Sequence, residues 1–158
     1  MNFLRKAIDL QVSWSDRLDK LLPIFFRIDG NQDFIRDFVH PYLTRGAVVY
    51  DVGGGKQPII TADSKVRLGI NVIGLDIDEE ELRSAPAGTY DRTICCDITN
   101  YQGHGDGDVV ICQALLEHVS NVAEALRAID SILKPGGVAL LFVPSSNAAF
   151  AKDRKSVV

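Results

Sequence analysis

A chain of 158 residues, 46% hydrophobic and 24% charged, has enough apolar matter for one globular domain with a sizeable core. A formal charge of -4 excludes a protein held to nucleic acid by a broadly basic face, although a local basic patch stays compatible with it. A membrane-crossing helix needs roughly 20 apolar residues, whereas the run "LLPIFF" is short and is flanked by Arg17, Lys20 and Arg27, so no membrane span is expected.

The opening "MNFLRKAIDL" places Arg5, Lys6 and Asp9 where a secretory signal would be apolar, so no such signal is expected. Residues 1–45 read as an N-terminal helical segment on the lid or substrate side. Leu18, Leu21, Leu22 and Phe25 fall on one helical face, and "QDFIRDFVHPYL" repeats the pattern with Phe34, Ile35, Phe38 and Val39. Pro41 is predicted to end or kink that second helix. Trp14 and "LLPIFF" are most simply core or lid packing; a surface for a lipid-like acceptor is the alternative.

From residue 46 the texture changes, and residues 46–158 read as one α/β domain. The short apolar runs "AVVYDV", "NVIGLDI", "YDRTICCDI", "DVVICQ" and "VALLFVP" suit strands buried on both faces of a parallel sheet. Between the last two, Asn121 is placed to cap a helix with Glu124 at its third position. Leu126, Ile129 and Leu133 are expected to face inward, and "KPGG" to end the helix. Alternating strands and helices predict a three-layer fold with right-handed crossovers, whose ligands bind at the carboxyl ends of the strands.

Acids stand at three of those ends: Asp51, Asp76 and Asp97. Gathered carboxylates repel, so a ligand rich in hydroxyls, amines or positive charge is the expected compensation. Asp76 is the partner for a ribose diol, because one carboxylate accepts from two adjacent hydroxyls. Asp97 suits an exocyclic amine such as that of adenine. Asp51 either receives loop amides or meets an ammonium through water. The competing reading makes each Asp a cap for the turn that follows it. Cys95, Cys96 and Cys112 are odd in number and lack metal-ligand spacing, which reads as reduced thiols in a cytoplasmic protein with no metal site.

The glycines of "VVYDVGGGKQP" narrow the ligand. A dinucleotide fingerprint starting at Gly53 and Gly55 needs a third glycine where Pro58 stands, and a phosphate-binding P-loop needs Ser or Thr where Gln57 stands. Pro58 instead suits the first turn of a helix. The loop is therefore expected to offer free amides to one small anionic group, such as a carboxylate. Lys56 either pairs with that carboxylate or is a solvated loop lysine.

Four ordered motifs carry a family resemblance. "VVYDVGGGKQP", "VIGLDID", "CCDIT" and the pair "DVVICQALLEHV" and "ILKPGGVALLFVP" together resemble class I S-adenosylmethionine-dependent methyltransferases over residues 47–144. The resemblance implies a Rossmann-like sheet of order 3-2-1-4-5 that binds S-adenosyl-L-methionine and transfers its methyl group to a small-molecule acceptor. It implies that Gly53, Gly54 and Gly55 receive the methionyl part, beside Asp51. Asp76 would bind the ribose and Ile77 the adenine. Asp97 and Ile98 would hold the other side of the adenine, and Gln113 would line the sulfonium region. Glu117 and His118 fall where the acceptor enters; His118 is either a general base or a structural histidine at a helix start. Cys112 is expected to point toward the site, either as a thiol or as a small hydrophobe.

The family's sheet has seven strands, yet only 14 residues follow Pro144. Strands six and seven are therefore expected to be missing and the fifth strand to be an unprotected edge. Truncation is the first explanation. A partner chain or second copy that completes the sheet, or a domain that binds the cofactor without catalysis, are the others. Methyl transfer is the primary reading and the non-catalytic module the alternative; an NAD-dependent oxidoreductase is disfavoured by Pro58.

Overall fold

The computed structural model describes Arg17, Leu21 and residues 30–143. Trp14, Leu18, Leu22, Phe25 and the residues after Val143, including Pro144, lie outside them, and Leu21 is 80% exposed. Helix α1, Gly30–Asp33, belongs to a separate unit, whereas Phe34–Val143 form one compact unit.

Within that compact unit, five parallel strands build one sheet: β1 Val48–Val52, β2 Asn71–Asp76, β3 Arg92–Cys95, β4 Gly107–Gln113 and β5 Leu133–Phe142, in the order 3-2-1-4-5. The order and the Rossmann-like layering match the sequence expectation. Side chains alternate across the sheet with period two. Tyr50, Val52, Ile73, Leu75, Val110 and Cys112 face one layer, packed with Ile98 and with Ala125, Ala128, Ile129 and Ile132. Val49, Val72, Val109 and Ile111 face the other, with Phe34, Val39, Leu43 and Ile60. Burial on both faces explains why the strands read as unbroken apolar runs.

The helices follow their caps. Thr61 accepts from the Ser64 amide to start α2, Ala62–Leu68, which closes on Gly69 in the left-handed conformation. Asp78 accepts from the Glu80 and Glu81 amides to start α3, Glu79–Arg83. Asn121 accepts from the Ala123 and Glu124 amides to start α4, Val122–Ile132. The Asn121 expectation therefore holds, but two neighbouring ones need correction. Pro58 is not in a first helical turn: the chain stays irregular until Thr61, because the Ile59 amide is drawn to Asp51. The buried face of α4 is Ala125, Ala128, Ile129 and Ile132, whereas Leu126 is 41% exposed and Leu133 already belongs to β5.

The "KPGG" turn does not simply stop the helix either. Gly107 pairs with Leu133 and Val109 with Val138, so residues 134–137 bulge out of β5 and let it regain register. At the other end, Phe34–Val39 is a π-helical turn and His40–Tyr42, containing Pro41, a 3-10 turn. A π turn aligns residues five apart, so Phe34 and Val39 are buried together while Phe38 stays 59% exposed, contrary to a 3.6-residue reading. Among the described residues β5 pairs only with β4, and Leu141 on it and Val143 beyond it are partly exposed. No helix among these residues is long and apolar enough to cross a membrane.

Asn121→Ala removes the side-chain acceptor that caps the start of α4 and should lower unfolding free energy by about 1 kcal/mol, read as a shift of the urea midpoint at constant slope. A midpoint within error of the native chain would show that α4 is held by its buried face alone.

Candidate functional site

The carboxyl ends of β1 and β2, the segment after β3 and the loop after β4 enclose a cavity of about 260 Å³. Gly53, Asp76, Ile77, Asp97, Ile98 and His118 line it, as do Cys96, Leu115, Val119 and Ser120. Elements separated in the chain thus bring two carboxylates to one largely apolar slot.

The glycine loop leaves β1 with Gly53 at φ 80° and Gly55 at φ 46°, backbone conformations that side chains with a Cβ rarely adopt. Gly54 is required for a different reason: a Cβ there would stand 2.5 Å from Asp51 Oδ2. Asp51 itself is 1% exposed and does not reach the cavity wall. Its carboxylate lies against the loop and accepts from the Ile59 amide at 3.2 Å and from the Tyr90 hydroxyl at 3.4 Å. Burial pushes its carboxyl up to about 6, against the pull of these two bonds, and the charge of Asp76 adds to the rise. Of the two sequence readings for Asp51, the first is seen in one bond, from the Ile59 amide. Nor are all the loop amides free: Gly53 N–H donates to the Leu75 carbonyl at 2.8 Å, within the sheet. Lys56 is ion-paired with Glu81 at 2.6 Å.

Asp76 ends β2, and its Oδ1 accepts from the Asp78 amide at 3.0 Å. Asp97 follows β3 and caps the 3-10 turn Ile98–Asn100, its Oδ1 taking both the amide and the hydroxyl of Thr99 at 2.9 and 2.8 Å. Both acids are therefore local caps and cavity walls at once, so the two sequence readings do not exclude each other. Ile77 is 67% exposed at the cavity, while Ile98 is buried beneath it.

Beyond β4 the chain turns sharply at Ala114, the one non-glycine residue with positive φ, 52°, among those described. Its amide donates to the Phe142 carbonyl at 2.8 Å, tying the turn to β5. The turn presents Leu115, whose side chain would stand 3.1 Å from a Cβ at Gly53. His118 is exposed where it meets the cavity, and its amide donates to the Leu115 carbonyl at 2.8 Å. Glu117 is exposed, Gln113 is half-buried at the end of β4, and neither lines the cavity; nor do Gly54 and Gly55. Cys112 is core, contrary to the expectation that it points into the site: burial first, then the charges of Glu117 and Asp51, push its thiol up to about 12. Sequence reasoning missed Leu115, Val119, Cys96 and Ser120. The apolar residues of "QALLEHV" carry the relevant signal: Leu116 is buried in the core, while Leu115 and Val119 pack against it and line the cavity.

Asp51 makes stability depend on pH. Its folded value, about 6, lies above its unfolded value of 3.8, so the folded state holds more protons between these limits. Stability should therefore fall as pH rises from about 4 to about 6, by up to about 3 kcal/mol. Asp51→Asn should flatten that slope in urea unfolding across pH 4–8; an unchanged slope would assign it to another group.

Comparison with known proteins bears on this geometry. Residues 50–141 match the methyltransferase-domain family. The chain is 37% identical over 142 residues to the ubiquinone biosynthesis O-methyltransferase of Albidiferax ferrireducens, covering 85% of this chain and 54% of that protein. It is 29% identical over 141 residues to the protein of the same name in Ralstonia nicotianae, covering 85% and 57%. The chain thus spans little more than half the length of these curated relatives. Among solved structures, YcgJ of Bacillus subtilis superposes with a TM-score of 0.57 at 20% identity, over 70% of this chain and 50% of that one. Phosphoethanolamine N-methyltransferase 2 of Haemonchus contortus, solved with S-adenosyl-L-methionine, does so at 0.58 and 21%, over 72% and 27%. At these identities the likeness concerns the fold alone. Because the family match extends over more than half its length, the chain belongs to the methyltransferase-domain family, the class I S-adenosylmethionine-dependent methyltransferases.

Proposed function

We propose that this domain binds S-adenosyl-L-methionine in the cavity at the strand ends and methylates a hydroxyl group of a small-molecule acceptor. One observation carries the reading: Asp76 and Asp97, from different strand ends, line a single apolar slot beside Gly53. The donor set suits an adenosyl ligand. Asp76 accepts from the ribose hydroxyls with its outer oxygen, since Oδ1 is already engaged by the Asp78 amide. Asp97 keeps Oδ2 for the adenine amine, since its cap uses Oδ1. Ile77 and Ile98 supply apolar faces for the base. Gly53, Gly54 and Gly55 would receive the methionyl end, with Asp51 beneath their loop, and Gln113 at the end of β4 would line the sulfonium region.

When bound, the cofactor supplies a methyl group already electrophilic on its sulfonium sulfur. The protein's part is then chiefly to orient an acceptor oxygen and exclude water. His118, exposed at the cavity, would accept the proton from the acceptor hydroxyl, with Glu117 next to it in the chain. An oxygen acceptor is supported by the relatives' O-methyltransferase names. The unpaired thiols of Cys95, Cys96 and Cys112 suit a cytoplasmic setting.

Calorimetric titration tests the binding half. Asp76→Ala should weaken S-adenosyl-L-methionine by at least about tenfold, the loss expected for two bonds to a charged acceptor. Tighter binding of NAD than of S-adenosyl-L-methionine would overturn the reading. Transfer of labelled methyl to hydroxylated ubiquinone precursors tests the rest. His118→Ala should retain cofactor affinity and slow transfer by roughly 100-fold or more. A chain that binds cofactor but methylates no acceptor in a broad panel would be a binding module.

A further inference from the structure

Tyr90 lies outside the cavity, yet it reaches the one buried carboxylate of the site. The sheet register explains how. Asp51 of β1 is paired with Gly74 of β2, so the two stand side by side on the same face. A Cβ at Gly74 would stand 2.8 Å from the Tyr90 ring, which therefore lies flush against bare backbone. Only that missing side chain lets the phenol pass across β2. Its hydroxyl ends between two acceptors, Asp51 Oδ2 at 3.4 Å and the Gly55 carbonyl at 3.2 Å. One end of the glycine loop is thereby tied to the acid beneath it.

We propose that Tyr90 is a positioning residue that couples the protonation of Asp51 to the shape of the glycine loop; the consequence for ligand binding rests on the function proposed above. The Tyr90 hydroxyl has one hydrogen and two acceptors. While Asp51 is ionised, that hydrogen is shared between the carboxylate and the Gly55 carbonyl. When Asp51 is protonated, its own O–H donates to the Tyr90 oxygen, and the Tyr90 hydrogen turns wholly to Gly55. Both acceptors are then served, and the loop is drawn closer. Burial, with the Asp51 charge second, holds the phenol far above the ordinary range, so it stays a donor throughout. The titratable groups that bear on Asp51 are few: Asp76 at the end of β2 and Tyr90 itself, while the Cys112 thiol of β4, paired with Val52, points into the opposite layer. Above the loop, Glu81 approaches Gly55 and is neutralised by Lys56. None of these but Tyr90 bonds both the acid and the loop among the described residues.

The experiment is a carboxyl-carbon and amide NMR titration of the ligand-free chain between pH 4.5 and 8, with Tyr90→Phe as the variant because it keeps the ring over Gly74. In the native chain the Asp51 carboxyl and the Gly54 and Gly55 amides should titrate together near 6. In Tyr90→Phe the Asp51 midpoint should rise, since a bond that favours the carboxylate is gone, and the glycine amides should no longer follow it. Affinity for S-adenosylhomocysteine should fall roughly 3–10-fold, by a factor that varies across the same pH range. An Asp51 midpoint unmoved by the substitution would overturn the proposal. So would a loss of affinity identical at every pH, which is the mark of packing alone. If the ligand-free titrations behave as expected but neither chain binds the nucleoside, the coupling stands and the proposed function falls.

Discussion

The carboxylate of Asp51, enclosed beneath the loop that follows β1, is the constraint on which the site depends. A charged group so placed must be bonded or neutralised, and its two partners are Ile59, eight residues on, and Tyr90, from beyond β2. Each partnership dictates something else. The carboxylate fills the space that a side chain at residue 54 would need, and the phenol fills the space above residue 74. Two glycines in different elements are thus consequences of one buried acid.

That arrangement determines where the cavity can be. With Asp51 occupied beneath the loop, the faces left for a ligand are those of Gly53, Asp76 and Asp97, at the points where parallel strands release the chain. The acids there serve two purposes without conflict. One oxygen of each holds the local backbone, at Asp78 and Thr99, and fixes the carboxylate's direction. Such a group costs little further ordering entropy when it receives a ligand. The strained turn at Ala114 adds the remaining wall by carrying Leu115 toward Gly53.

Much of this was legible in the amino-acid order, and the failures share a cause. Sheet order followed the family motifs, and the strand positions followed apolar runs that only a doubly covered parallel sheet needs. Asn121 was legible as a cap because capping is a local event within three residues. The inward face of α4 was misjudged since Leu126 looks like a core residue, whereas small Ala125 and Ala128 are what allow close approach to the sheet. Phe38 was misjudged since the 3.6-residue period assumes an α-helix where the chain forms a π turn. Pro58 was read as a helix start because nothing local announces that Ile59 is held by an acid eight residues earlier.

By itself, then, the sequence determined what depends on near neighbours and on pattern: a doubly buried parallel sheet, its caps, the glycine loop and the acids at the strand ends. Tertiary structure alone decided which of those acids meet. Asp76 and Asp97 face one cavity, while Asp51 is turned beneath the loop. The difference is physical. A strand's pattern is written in its own residues, but the direction of a carboxylate depends on which donors reach it, and here one of its two donors, Tyr90, arrives across another strand through the gap left by Gly74.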